Sequence, residues 1–110
     1  MVTASYIDSV RTAFTGISED IRELDFDFKV YPNPAIDFLS VNYELLKPSF
    51  VVISFYSLFG KETKRIMATN QDKGLHTKII NLEETGLAPG MYLLLLQIDQ
   101  QARAKRVMIR

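Results

Sequence analysis

The side chains able to do chemistry are few. His76 is the only histidine and there is no cysteine. That removes any thiolate nucleophile, disulfide framework or Cys-ligated zinc or iron–sulfur site. A transition metal would have to sit among carboxylates around one imidazole, and no ligand spacing supports that. The hydroxyls show no Gly-x-Ser-x-Gly elbow and no Ser-His-Asp spacing of a known kind. Paired acids occur at Glu19-Asp20, Asp25/Asp27 and Glu83-Glu84. On helix starts and loops such pairs are solvated charge. Asp25 and Asp27 share one face if their stretch is a strand, and oxygen ligands so placed suit only a weak calcium site. Glycines 16, 60, 74, 86 and 90 never form a phosphate cradle. His76 is therefore expected to make a hydrogen bond on a strand or turn. The residues provide for no catalysis and no cofactor.

Composition narrows the function further. The chain has 110 residues, with 13 Lys+Arg against 13 Asp+Glu and 47% hydrophobic residues. One domain of this size can bury a core without staples. Zero net charge argues against nucleic acid as the main partner, because phosphate binding draws on clustered basic residues. The longest apolar run, residues 92–96, is strand-sized and far short of a membrane span. Met1-Val2-Thr3-Ala4-Ser5-Tyr6-Ile7-Asp8 lacks the basic and apolar regions of a signal peptide. The expectation is a cytoplasmic protein or a fragment whose export signal lies upstream.

Two kinds of element should position these residues. In 1–25, Ile7, Val10, Phe14, Ile17, Ile21 and Leu24 recur at three- and four-residue spacing, the stripe of an amphipathic helix. Ser5 and Asp8 resemble a capping box, while Gly16 and Ser18 mark a break between two helices. Such a segment packs on its own protein or joins two copies as a homodimer. From 26 to 110 the pattern is β. Strands are expected at 26–31, 38–43, 50–56, 62–68, 76–82, 92–98 and 104–109, with turn residues between them. Seven short strands without long helices between them predict an all-β fold: a seven-stranded antiparallel immunoglobulin-like β-sandwich with a short N-terminal helical segment.

Charge is unevenly placed. The first 28 residues carry six acids against Arg11 and Arg22, a balance of −4. The last eight hold Arg103, Lys105, Arg106 and Arg110 and no acid, a balance of +4. Basic residues around Val107 and Ile109 either protect an edge strand from aggregation or display that strand to a partner.

Four blocks in order resemble a known family. Phe28-Lys29-Val30-Tyr31-Pro32-Asn33-Pro34-Ala35-Ile36-Asp37 has a short strand ending in Tyr-Pro-Asn-Pro, then a small residue and an acid. Tyr56-Ser57-Leu58-Phe59-Gly60-Lys61 is a strand–turn–strand with Ser57 where Asp is commoner. Leu87-Ala88-Pro89-Gly90-Met91-Tyr92 leads into a buried strand, and Lys105-Arg106-Val107-Met108-Ile109-Arg110 closes the chain. Together they resemble the C-terminal sorting domain of the Bacteroidetes type IX (Por) secretion system.

Physical reasons accompany the motif residues. Pro32 and Pro34 fix two φ angles and remove two donors, so the first strand must leave its sheet, and Asn33 can bond the local backbone. Gly60 and Gly90 fall where turns call for positive φ. Tyr92 should lay its ring on the core with its hydroxyl at the rim.

The resemblance implies a non-catalytic delivery signal rather than an enzyme. Cargo bearing such a domain crosses the inner membrane by a separate signal, and an outer-membrane translocon recognises the folded domain. A sortase-like peptidase then commonly removes it at the cell surface. The implied recognition residues are Lys105, Arg106, Val107, Met108, Ile109 and Arg110, with a cut within or just before residues 18–29. No small-molecule substrate is implied. The competing class is a free-standing immunoglobulin-like adhesion or carbohydrate-binding module, which should show exposed aromatics in a patch. A sorting domain should instead bury Phe50, Phe55, Tyr56 and Tyr92 and leave its last strand accessible.

Overall fold

The computed structural model describes residues 27–110. The expected helical segment, its homodimer seam and Asp25 lie outside the described residues. Seven strands follow one another: β1 (Phe28–Tyr31), β2 (Phe38–Leu45), β3 (Ser49–Tyr56), β4 (Glu62–Gln71), β5 (Gly74–Asn81), β6 (Gly90–Ile98) and β7 (Gln101–Ile109). A single turn of helix, α1 (Leu82–Thr85), lies between β5 and β6. Every strand-to-strand pairing is antiparallel, in a three-stranded sheet ordered β1-β2-β5 and a four-stranded sheet ordered β4-β3-β6-β7. This is the expected sandwich.

Alternation along the strands builds the core. Leu39, Val41, Tyr43 and Leu45 of β2 and Ile80 of β5 meet Val51, Ile53 and Phe55 of β3 and Leu94 and Leu96 of β6. Val107 and Ile109 of β7, with Phe28 of β1, complete that interior. Phe55 is fully buried, and Tyr92, half-buried, meets its ring edge-on at 6.1 Å between centroids. The Tyr92 hydroxyl donates to the Ala88 carbonyl (2.6 Å), the rim position expected of it. Leu93 through Leu96 are all buried: Leu94 and Leu96 face the core, while Leu93 and Leu95 cluster with Tyr56 on the other side of β6, which lies between β3 and β7.

The turns follow local chemistry. Ser57 Oγ accepts from the amides of Phe59 and Lys61 (both 3.2 Å), and the Gly60 amide donates to the Ser57 carbonyl. Gly60 sits at φ 90°, the left-handed region where a Cβ is costly. Gly90, at φ 157°, opens β6 rather than making a turn. Asn81 caps α1, its Oδ1 accepting from the amides of Glu83 and Glu84, and Gly86 closes it at φ 74°. Leu82 thus begins a helix instead of ending a strand, because Asn81 supplies a cap that ends the ladder.

One expectation fails on burial. Phe50 is exposed, since it lies on the outward register of β3 at the strand's end. Its backbone instead pairs with Asp99, whose Oδ1 accepts from the Phe50 amide (2.9 Å). Val107 and Ile109, the apolar alternation of the last strand, are buried in the core.

Candidate functional site

β7 is the last strand of the four-stranded sheet and has only β6 beside it as a full partner. Along it the side chains alternate. The odd positions Val107 and Ile109 face the core, whereas Arg106 and Arg110 are exposed and Met108 is half-buried. An unprotected edge strand offers its amides and carbonyls to any other chain.

The Tyr-Pro-Asn-Pro segment closes part of this edge. Pro32 and Pro34, both preceded by cis peptide bonds, carry the chain away from β1 across to the other sheet. There the Asn33 side chain imitates a peptide group. Its Nδ2 donates to the Arg106 carbonyl (3.1 Å), and its Oδ1 accepts from the Met108 amide (3.0 Å). Ala35 continues the ladder: its amide donates to the Met108 carbonyl and its carbonyl accepts from the Arg110 amide, both at 2.8 Å. Ala35 and Ile109 thereby form a parallel bridge. Asn33 was expected to bond nearby backbone. It bonds residues 73 and 75 positions away instead, because the two prolines deliver it to the opposite sheet.

Lys105 points towards the gap between the sheets. Its ammonium lies 5.2 Å from the centre of the Phe28 ring and 3.6 Å from Asp27 Oδ1. Asp27 Oδ1 also accepts from the Phe28 amide (2.8 Å). An inward lysine of this kind is a known guard on an edge strand. The Asp27 carboxylate is thereby committed to a cation and a strand amide. Among the described residues no three His, Asp or Glu side chains gather to hold a metal.

Beside the end of β7 an open cleft of about 650 Å³ is lined by Ile36, Phe38, Ile79, Leu87, Ile109 and Arg110. Ile36, Phe38 and Ile79 are exposed, and so is Tyr31, which lies opposite Ser40 in β2 while Ile79 lies opposite it in β5. These side chains form an apolar patch on the outer face of the three-stranded sheet. The Tyr31 hydroxyl accepts from Asn42 Nδ2 (2.7 Å), and Asn42 Oδ1 accepts from Thr77 (2.6 Å). This patch was missed in the sequence; its signal was Phe38 and Ile79 falling off the core register of their strands.

His76 is structural. It stacks on Tyr43 at 5.5 Å and its Nε2 contacts the Asp72 carbonyl at 2.7 Å. The Tyr43 hydroxyl donates to Gln71 Oε1, and burial raises its pKa above the ordinary tyrosine value, offset in part by that bond.

No curated protein and no solved structure matches the chain. The family model of the secretion system C-terminal sorting domain matches residues 29–110, from β1 through the last residue of the chain. All four sequence blocks fall within that span except for Phe28, the residue just before it. They build the latch that Asn33 and Ala35 make on residues 106–110, the Ser57–Gly60 turn, the Tyr92–Ala88 contact and β7, and the chain belongs to the C-terminal sorting domains of the type IX secretion system.

Proposed function

We propose that this domain delivers an attached cargo from the periplasm across the outer membrane to the cell surface, and that the machinery reads the outward face of β7. Membership of the family carries the general statement: a C-terminal sorting signal for type IX secretion, acting with that machinery. The finer reading rests on the latch. Asn33 and Ala35 occupy the main-chain groups of residues 106–110 on the edge away from β6. Main-chain pairing there is already satisfied, so recognition falls to side chains, namely Arg106, Met108 and Arg110, with the neighbouring cleft. Nothing in the arrangement points to turnover, and sorting domains of this family are generally non-catalytic. A sortase-like peptidase would cut ahead of β1, within or just before residues 18–29, leaving the sandwich intact.

A second reading has one observation in its favour. Tyr31 and Phe38 are exposed on one face, as an adhesion or carbohydrate-binding module requires. A fusion experiment separates the two. Residues 26–110 are appended to a periplasm-directed fluorescent protein in a host with this secretion system. Variants end at Gln101, or carry Arg106→Glu and Arg110→Glu, or carry Tyr31→Ser and Phe38→Ser. Surface delivery should fail for the first two and persist in the third. Circular dichroism should show the charge-reversed domain still folded. Delivery that survives both the truncation and the charge reversal would remove the sorting role from β7.

A further inference from the structure

An unpaired row of amides and carbonyls recruits further strands, so folded domains guard their sheet edges. Three of the four edges here are guarded. β7 is latched by Asn33 and Ala35 and turns Lys105 inward. β4 carries two register shifts against β3 and shows Lys64 and Arg65 to solvent. β1 is four residues long and runs into Pro32 and Pro34. β5 is the exception. Its eight residues pair with β2 in unbroken register and include no proline. Among the described residues, no strand lies on its other side. Leu75 and Ile79, on its outward face, are 82% and 55% exposed. Lys78 lies on the inner register opposite Val41 and, unlike Lys105, makes no ion pair among the described residues.

We propose that β5 pairs antiparallel with β5 of a second copy of this chain, about a two-fold axis through Thr77. The strand is self-complementary in that register and in neither neighbouring one. Pairing residues 74–80 with 80–74 sets Leu75 opposite Ile79 at both ends and Thr77 opposite Thr77. A two-fold interface requires this reciprocity. Moving the axis to His76 or Lys78 puts Leu75 against Thr77 or Asn81. The second of these also sets two lysines face to face, which is destabilising. With the axis at Thr77, Lys78 stands opposite His76 of the other copy. The Asp72 carbonyl can only accept, so His76 Nε2 holds the proton and Nδ1 is left as an acceptor. Beyond the strand ends, Lys73 of each copy comes alongside α1 of the other, whose first turn carries Glu83 and Glu84. The two three-stranded sheets become one of six strands, and the outward face of β7, on the other sheet, stays uncovered.

Thr77→Cys tests the axis directly in the full 110-residue chain, which has no cysteine of its own. Residues directly opposite in an antiparallel pair have Cα atoms ~4.5–5.5 Å apart, within disulfide reach. Mild oxidation should convert Thr77→Cys to a covalent dimer, whereas Thr69→Cys, exposed on β4, should stay monomeric. Sedimentation equilibrium of the unsubstituted chain should show a reversible dimer. Leu75→Lys with Ile79→Lys places like charges in both pairs and should weaken that dimer about tenfold or more. Leu75→Glu with Ile79→Lys puts opposite charges together at each end of the same register and should recover it. Both positions are exposed, so circular dichroism should show every variant folded. A chain that stays monomeric at every concentration overturns the assignment, as does Thr77→Cys cross-linking no faster than Thr69→Cys. A dimer indifferent to the two lysines also overturns it and places the contact on another surface. Loss with the two lysines and no recovery with the Glu–Lys pair would overturn the register about Thr77.

Discussion

Asn33→Ala removes two hydrogen bonds and almost no packing, which makes it the sharpest test of the latch. The side chain donates to the Arg106 carbonyl at 3.1 Å and accepts from the Met108 amide at 3.0 Å. A neutral hydrogen bond adds a net 0.5–1.5 kcal/mol or so, giving roughly 1–3 kcal/mol for the pair. Both bonds lie at an exposed edge, where water replaces the lost partner, so the lower half of that range, about 1–2 kcal/mol, is expected. In a domain of this size that corresponds to a fall in Tm of roughly 5–15 °C. Urea unfolding of the full chain gives the free energy, with an unchanged slope showing that the native state stays compact. Amide exchange localises the effect: Met108 should lose protection while Leu94 and Leu96, deep in β6, exchange only as global stability dictates. A loss under about 0.5 kcal/mol, typical of an ordinary surface change, with Met108 protection intact, would refute the latch as a stabilising contact.

Other outcomes follow from the same geometry. Phe55→Ala empties a fully buried site beneath the Tyr92 ring and should cost about 3–5 kcal/mol by urea unfolding. Gly60→Ala meets no atom within 4 Å, so its cost is purely backbone at φ 90°, about 1 kcal/mol or more, and Gly60→Asn should be milder. Asn81→Ala should lose about 0.5–2 kcal/mol with the cap of α1, read by the same method. The raised pKa of Tyr43 has a defined sign. The folded state holds the neutral phenol, so this stabilisation is complete below the ordinary tyrosine pKa and is lost as pH rises through the higher folded value. Tyr43→Phe should therefore flatten the alkaline decline in stability, and phenolate absorbance should lose a late-ionising component in that variant.

The sheet pattern was legible because alternation is a local signal. Phe28/Val30, Leu39/Val41/Tyr43 and Val51/Ile53/Phe55 announce their own faces, and each reaches the core or packs against it. Strand ends were less legible. Residues 101–103 carry no β-forming side chains, yet β7 starts at Gln101 because Asp99, at φ 52°, turns the chain tightly and ties it to Phe50. Likewise β4 continues to Gln71 through polar residues, since Thr69 and Asn70 pair with Val51 and Phe50 across the sheet. The candidate site was half visible. Prolines 32 and 34 announced an exit from β1, but the partner of Asn33 lies more than seventy residues on, and no local pattern encodes such a meeting. Phe50 shows the opposite failure: its type suggests the interior, while its register on β3 turns it to solvent.

The fastening of Asn33 and Ala35 to residues 106–110 ties nearly the first described stretch of the domain to its final one. Without residues 106–110 the Asn33 and Ala35 groups have nothing to grip, and the start of β6 loses its outer neighbour. The closed form thus makes the two extremities of the described domain depend on each other: disturbing either one strips the other of its partners.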